Sequence, residues 1–170
     1  LKNKKPFFKT KWFGDSCLSY VDHIERNFQS SKNVILYRNE EQEDTSITWN
    51  ALFAKAYEIK KDLLGKGVKK GDCVVGYLSN HPITIAAFLA TNSVGAVWSC
   101  CSPDFGVESV ISRLGQLKPT VLIGIGKYSY NGKKYKLSDR IKVIQKEITT
   151  IEAVICYDIG FESWNLKTKD

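Results

Sequence analysis

The chain reads as an α/β fold: a wound parallel sheet with helices on both faces. Three observations predict it. From Thr48 onward, helical and strand patterns alternate at short intervals, the order that produces a parallel sheet wound with helices. Residues 73–78 are apolar without alternation, as a parallel strand covered on both faces must be. Residues 97–100 end in small polar residues, Pro103 and Gly106 then bracket Asp104-Phe105, and an amphipathic pattern starts at Val107. That order is strand, exposed loop, helix.

Residues 1–11 form a basic arm. Trp12-Phe13-Gly14 opens a segment whose Leu18, Tyr20, Val21, Ile24 and Phe28 face inward on a helix, with Asp15 or Ser16 as N-cap. Residues 33–37 have strand length, 40–44 make an acidic turn, and Ser46-Ile47-Thr48 is a short strand that pairs back on the first. Thr48 then caps the clearest helix. Trp49, Leu52, Phe53, Ala56, Ile59, Leu63 and Leu64 keep its apolar face, while Lys55, Glu58, Lys60 and Lys61 take the other. Gly65 and Gly67 end it.

After the strand over 73–78, Asn80-His81-Pro82 opens a helix with Pro82 in its first turn. Residues 83–94 are apolar almost all round, which predicts burial. Residues 97–100 give the next strand. Val107, Val110, Ile111, Leu114 and Leu117 mark the following helix, and Pro119 ends its connection. Residues 120–123 are another apolar strand. Asn131-Gly132 is a strong turn signal within 128–133. Ser138 caps a helix through Thr149 with Ile141, Ile144 and Ile148 inward, and 153–156 make the last strand. Crossovers between these strands should be right-handed.

Composition narrows the function. The 170 residues suffice for one well-buried core. A hydrophobic share of 43% with 12% aromatics excludes a disordered chain. No apolar run approaches the ~20 residues of a membrane-spanning helix, and the basic N-terminus lacks the apolar stretch of a secretory signal. Five scattered cysteines with no C-x-x-C pair suggest neither a disulfide framework nor a zinc site. They read as buried thiols in a reducing compartment, most simply a cytoplasmic one. In a strand, Cys100 and Cys101 point to opposite faces. The net charge of +7 raises the question of nucleic acid. The lysines, however, fall at 2–11, 60–70 and 133–146, on helix faces and turns without a recognised binding motif, so solvated surface is the expectation. Neither nucleic acid nor membrane is expected as a partner.

No side-chain constellation suggests catalysis. His23 and His81 have no Ser, Cys or Asp partner in pattern, and His81 beside Pro82 suits a helix entrance. Gly65-Lys66-Gly67 and Gly124-Ile125-Gly126-Lys127 lack the spacing of a phosphate loop and read as turns with surface lysines. Arg113 lies on a polar helix face, able to pair with Glu108 or Asp104. In open α/β sheets ligands bind beyond the carboxyl ends of strands. The loop after residues 97–100 is therefore the best place for ligand contact.

Several runs are similar, in order, to one family. They are Trp12-Phe13-Gly14 with Leu18 and Tyr20, then Thr48-Trp49 with Leu52, and Gly67-Val68-Lys69-Lys70-Gly71-Asp72 followed by Gly76-Tyr77-Leu78 and Asn80. Ser93-Val94-Gly95-Ala96-Val97-Trp98-Ser99, Ser102-Pro103-Asp104-Phe105-Gly106-Val107 and Tyr130-Asn131-Gly132-Lys133 complete the set. With these runs the chain resembles the acyl-CoA synthetases of the adenylate-forming superfamily. Ser-Pro-Asp-Phe-Gly narrows the resemblance to the branch that activates acetoacetate.

The resemblance implies an acid–thiol ligase. Acetoacetate reacts with ATP, with Mg²⁺, to an acyl-adenylate and pyrophosphate, and the CoA thiol then takes the acyl group. The setting it implies is ketone-body or short-chain acid use. It also implies a division of the chain: residues 1–30 are an N-terminal arm and helix, and residues 31–170 are the first part of the large AMP-binding domain. The remainder of that domain is then the partner. The Ser/Thr/Gly-rich phosphate loop of the family has no match here, so no catalytic residue is expected in this segment, which alone should carry out neither half-reaction. What the segment is expected to supply is part of the CoA site: Asp104 and Phe105 in the loop, and Lys133 on the basic turn. Two departures stand out, Tyr130 where the family commonly has a second cation and Asp104 where it commonly has Gly. Each residue also has a plainer reading. Asp104 can cap the helix near Val107, Phe105 can pack back on the core instead of stacking on adenine, and Lys133 can be a solvated surface charge. A non-catalytic α/β module that binds a nucleotide or a protein is the alternative for the chain as a whole.

Overall fold

The computed structural model describes residues 6–40 and 44–157, and the backbone of 166–167. After a single 3-10 turn at Phe7–Lys9 comes helix α1 (Tyr20–Glu25). Strands β1 (Asn33–Tyr37) and β2 (Thr45–Thr48) form a separate antiparallel ribbon, as the sequence predicts. The chain then alternates: α2 (Trp49–Gly65), β3 (Cys73–Tyr77), α3 (Pro82–Val94), β4 (Val97–Cys101), α4 (Val107–Gly115) and β5 (Val121–Ile125). A hairpin of β6 (Lys127–Tyr130) and β7 (Lys133–Lys136) interrupts the pattern. Helix α5 (Ser138–Glu147), β8 (Ala153–Tyr157) and the two-residue β9 (Leu166–Lys167) follow.

The main sheet has the order β4-β3-β5-β8-β9. Its first four strands are parallel, and β9 runs antiparallel to β8. Val75 lies opposite Ser99 on one side and Leu122 on the other, and Ile123 lies opposite Ile155. Every residue of β3 and β5 is buried, which is why both runs are apolar without alternation. On the edge strand β4 the neighbours Cys100 and Cys101 differ, Cys101 buried and Cys100 exposed, on opposite faces.

Right-handed crossovers fix the layers. The chain steps from β3 to β4 in one direction, then back across β3 to β5, and onward to β8. Helix α3 therefore covers one face and α4 and α5 the other. Packing agrees, with α2 and α1 against α3 and α4 against α5. The direction of winding reverses between β3 and β5, and their carboxyl ends meet there.

Local chemistry explains most boundaries. Thr48 is extended and its hydroxyl accepts from Ala51 N–H at 3.2 Å, which starts α2. Replacing Thr48 by Ala is expected to cost about 1 kcal/mol, read as a lower urea midpoint with an unchanged slope. Leu52, Ala56, Ile59 and Leu63 form the buried stripe of α2. Gly95 closes α3 in the left-handed region, with φ of 79°. Gly76 is bare for packing: a Cβ there would lie 2.8 Å from the indole of Trp98 on β4.

Several expectations are corrected. The cap of α1 is Ser19, whose hydroxyl accepts from Asp22 N–H at 3.3 Å, and not Asp15 or Ser16. Only Val21 and Ile24 of its apolar set turn inward; Leu18 is 90% exposed, and Tyr20 and Phe28 are exposed too. Leu64 is exposed, whereas Lys55 is buried and its ammonium pairs with Glu58 one turn on, so its stem covers apolar surface. Ser138 is the first helical residue of α5 and no cap. The preceding Leu137 is fully buried and its N–H donates to Gly126 C=O at 2.9 Å, so core anchoring sets the helix start. That helix stops at Glu147, short of Thr149. All five thiols are free, but only Cys73 and Cys101 are buried; Cys156 is half-buried, and Cys17 and Cys100 are exposed.

Candidate functional site

The parallel order sets the carboxyl ends of β4, β3 and β5 side by side. Tyr77 is the last residue of β3 and has no exposed surface. Its hydroxyl sits 3.0 Å from both Pro103 C=O and Phe105 C=O, so one proton is shared between two carbonyls of the loop after β4. Arg140, in the first turn of α5, donates to Pro103 C=O at 3.2 Å and to the Tyr77 hydroxyl at 3.4 Å. A strand, a helix from one face and a loop are thus tied at one point. The loop backbone is held from below, with Pro103 buried and the Asp104 and Phe105 side chains exposed.

Asp104 turns toward the hairpin. Its Oδ2 accepts from the Ser102 hydroxyl at 2.8 Å and its Oδ1 from the Tyr128 hydroxyl at 3.3 Å. Burial first, and then the Asp104 charge, push the Tyr128 phenol above its ordinary range, so it remains a donor at neutral pH. The capping role is corrected: Gly106 is the N-cap of α4 and gives no side-chain bond. The two carbonyls turned toward Tyr77 rotate the intervening Asp104 away from the helix and onto β6.

Phe105 is not packed into the core; it is 37% exposed. The Arg113 guanidinium lies 4.5 Å from its ring centroid, a cation–π contact that takes the place of the expected pairing with Glu108 or Asp104. Lys133 opens β7 opposite Tyr130 and is exposed. Alternation along the hairpin puts residues 128, 130, 133 and 135 on one face. The Tyr128 and Tyr135 rings stack there with centroids 5.1 Å apart. Lys133 therefore shares the face that Tyr128 joins to Asp104. Loop and hairpin come together through Asp104, with Phe105 beside it and Lys133 at the turn end.

The turn itself has an unanticipated partner. Glu40 accepts from Asn131 N–H at 2.8 Å and from Gly132 N–H at 2.9 Å. His81 stands at the end of the β3 loop. It is buried, its Nδ1 accepts from Ile83 N–H at 3.2 Å as the cap of α3, and burial pushes its pKa down to about 4. The imidazole is a neutral cap, which agrees with its reading as a helix entrance.

The exposed ammonium of Lys133, beside the turn and on the Tyr128 face, suits a phosphorylated ligand, whereas Lys127, Lys134 and Lys136 lie on the other face of the hairpin. Elsewhere the fit is poor. Among the described residues no group of three or more His, Cys, Asp or Glu side chains is placed to hold a metal. Gly124 lies inside β5, where a Cβ would meet Ile141 at 2.7 Å, and Gly65-Lys66-Gly67 is the end of α2. Neither forms a phosphate cradle. Among the described residues no helix is long and apolar enough to cross a membrane.

A parallel sheet wound on both faces, with a tethered loop at the point where the winding reverses, matches one class of protein: residues 24–170 match the AMP-binding enzyme family, and the chain belongs to it. Within that class it is similar to acetoacetyl-CoA synthetases. The protein of that name from Rhizobium meliloti (strain 1021) is 33% identical over 147 residues, covering 86% of this chain and 22% of the relative. The mouse protein is also 33% identical over 147 residues, with 85% and 22% covered. The structure of acetoacetyl-CoA synthetase from Streptomyces lividans superimposes with a TM-score of 0.76 at 32% identity, covering 90% of this chain and 26% of that one. The chain spans about a fifth of the length of the curated relatives it matches.

Proposed function

We propose that residues 31–170, after an arm and helix over 1–30, form the first part of the large domain of an acid–thiol ligase. The whole enzyme converts acetoacetate, ATP and CoA to acetoacetyl-CoA, AMP and pyrophosphate, with Mg²⁺ as cofactor. The remainder of that domain handles the triphosphate and the metal. The proposed setting is ketone-body or short-chain acid use in the cytoplasm, to which five free thiols are suited.

In this reading the described residues receive the nucleotide end of CoA. Lys133 supplies an ammonium to a phosphate, Phe105 offers the exposed part of its ring to adenine, and Asp104 holds the hairpin against the loop. The bond from Tyr128 to Asp104 carries this reading, because it joins the Lys133 face to the Phe105 loop at the carboxyl end of the sheet. In the enzyme, Lys133→Ala should raise KM for CoA by about three- to tenfold, the value of a partly screened charge-assisted contact. Acetoacetate-dependent exchange of pyrophosphate into ATP should stay unchanged. Equal losses in both assays would make Lys133 a structural residue.

A further inference from the structure

We infer that the N-terminal stretch over residues 6–13 is a docking surface for anionic lipid: Phe7, Phe8, Trp12 and Phe13 enter the headgroup region while Lys9 and Lys11 meet its negative charge. The stretch precedes residue 24, where the family match begins, and its use is independent of the ligase reading. Its rings have no core to enter. Phe7, Phe8 and Phe13 are 79%, 80% and 82% exposed, and Trp12 is exposed too. Apolar area left in water is unfavourable, and where it is grouped beside polar residues it marks a contact surface. Here it is grouped. The turn at Phe7–Lys9 bends the chain, with Thr10 N–H donating to Phe7 C=O at 3.1 Å, and the Phe7 and Trp12 ring centroids lie 5.5 Å apart. Phe13 follows at φ of 51°, a left-handed conformation that a bulky side chain rarely takes. Neither the backbone nor the core calls for a ring there.

Charge selects the partner. The sequence places Lys2, Lys4, Lys5, Lys9 and Lys11 around these rings, with no acid before Asp15. Lys9 and Lys11 are exposed, and the Lys9 ammonium stands 5.9 Å from the centre of the Phe8 ring. Lysines interleaved with Trp and Phe suit an anionic interface, where the ammonium groups stay with the headgroups and the rings reach the acyl boundary. Single-stranded nucleic acid also stacks on aromatic rings, but it uses a groove that tracks its backbone. Every residue of 6–13 except Thr10 is exposed, which suits a flat surface better than a strand in a groove. The attachment is to the surface of the bilayer: among the described residues no helix is long and apolar enough to cross it. Lysines and rings together give a reversible, salt-sensitive contact.

The test is cosedimentation of the 170-residue chain with vesicles of phosphatidylcholine alone and with about a third phosphatidylserine. The anionic vesicles should bring the chain down, the neutral ones should not, and about 0.5 M salt should release it. Lys9→Ala with Lys11→Ala should lower the partition coefficient by about ten- to thirtyfold, since each lysine near such a surface contributes about fivefold. Phe7→Ser with Phe8→Ser should lower it by about tenfold. All four side chains are exposed, so both variants should keep the wild-type urea midpoint. Equal binding to neutral vesicles, or binding that either variant leaves unchanged, would overturn the proposal. So would capture of single-stranded RNA, lost in the same variants, by a chain that leaves the vesicles alone; the stretch would then serve nucleic acid. The whole protein should bind the same vesicles with the same losses. Binding by the 170-residue chain alone would mean that the rest of the protein covers these rings, and the lipid surface would be abandoned.

Discussion

Acidification through the window from pH 6.5 down to about 4 is expected to remove about 3 kcal/mol of stability through His81 alone. The sign follows from proton counting. Burial holds the folded imidazole near 4, against 6.5 for the free side chain. Between those values the unfolded chain binds a proton that the native cap cannot accept, so stability rises with pH across the window and is complete above 6.5. Below about 4 this contribution is gone. The physical reason is that Nδ1 must keep a lone pair for Ile83 N–H, inside a site with only 6% exposure. Asp62 works in the opposite sense, since burial and then Glu58 raise its carboxyl. Urea unfolding at several pH values reads the net slope. His81→Asn keeps an acceptor at the cap and does not titrate, so it should flatten the curve in this window. An Asn variant with the wild-type slope would remove His81 from the account.

Tyr77→Phe should destabilise the fold by about 1–2 kcal/mol, the cost of a buried polar group left without its partner, and should weaken CoA binding at the same time. The loss is uneven. Pro103 C=O keeps Arg140, while Phe105 C=O loses the Tyr77 donor and Arg140 loses an acceptor. The freed segment is the one that carries Phe105, so the competent loop is populated less, and KM for CoA in the enzyme rises by about fivefold per kcal/mol. Pyrophosphate exchange should hold its rate, which separates a positioning role from general damage. A double-mutant cycle with Arg140→Gln should show coupling, since the two side chains share an acceptor and touch each other. Additive losses, or a Phe variant with the wild-type KM, would mean that the loop holds itself.

Much of this architecture is legible in the chain because its signals are local. The stripe of α2 and the unbroken apolar runs of β3 and β5 each declare themselves within one window. The hairpin does not. Tyr128, Tyr130 and Tyr135 interleave with polar and charged residues and show no aliphatic run; among the described residues β6 and β7 pair with each other alone, so the turn is legible and its strands are not. Helix α1 has six residues, too few to display a period or to choose among Asp15, Ser16 and Ser19 as caps. The site is harder still. Asp104, Phe105 and Lys133 could be named from resemblance, but what positions them is tertiary. Tyr77 looks like one more apolar strand residue until its hydroxyl is found on the backbone 26 and 28 residues away. Tyr128 reaches Asp104 across 24 residues, and Glu40 reaches the turn across more than ninety. No window of sequence contains both ends of such bonds.

Strand β4 ends the sheet among the described residues, and half of its main-chain groups point away from β3. A further parallel strand laid along that flank adopts a register already dictated by Val97–Cys101 and delivers its own loop next to 102–106. The wall around the ligand can thus be enlarged outward, one strand and one loop at a time, while the Tyr77 knot stays as it is. A frame of this kind lets the reach of the crevice be altered independently of the foundation on which it stands.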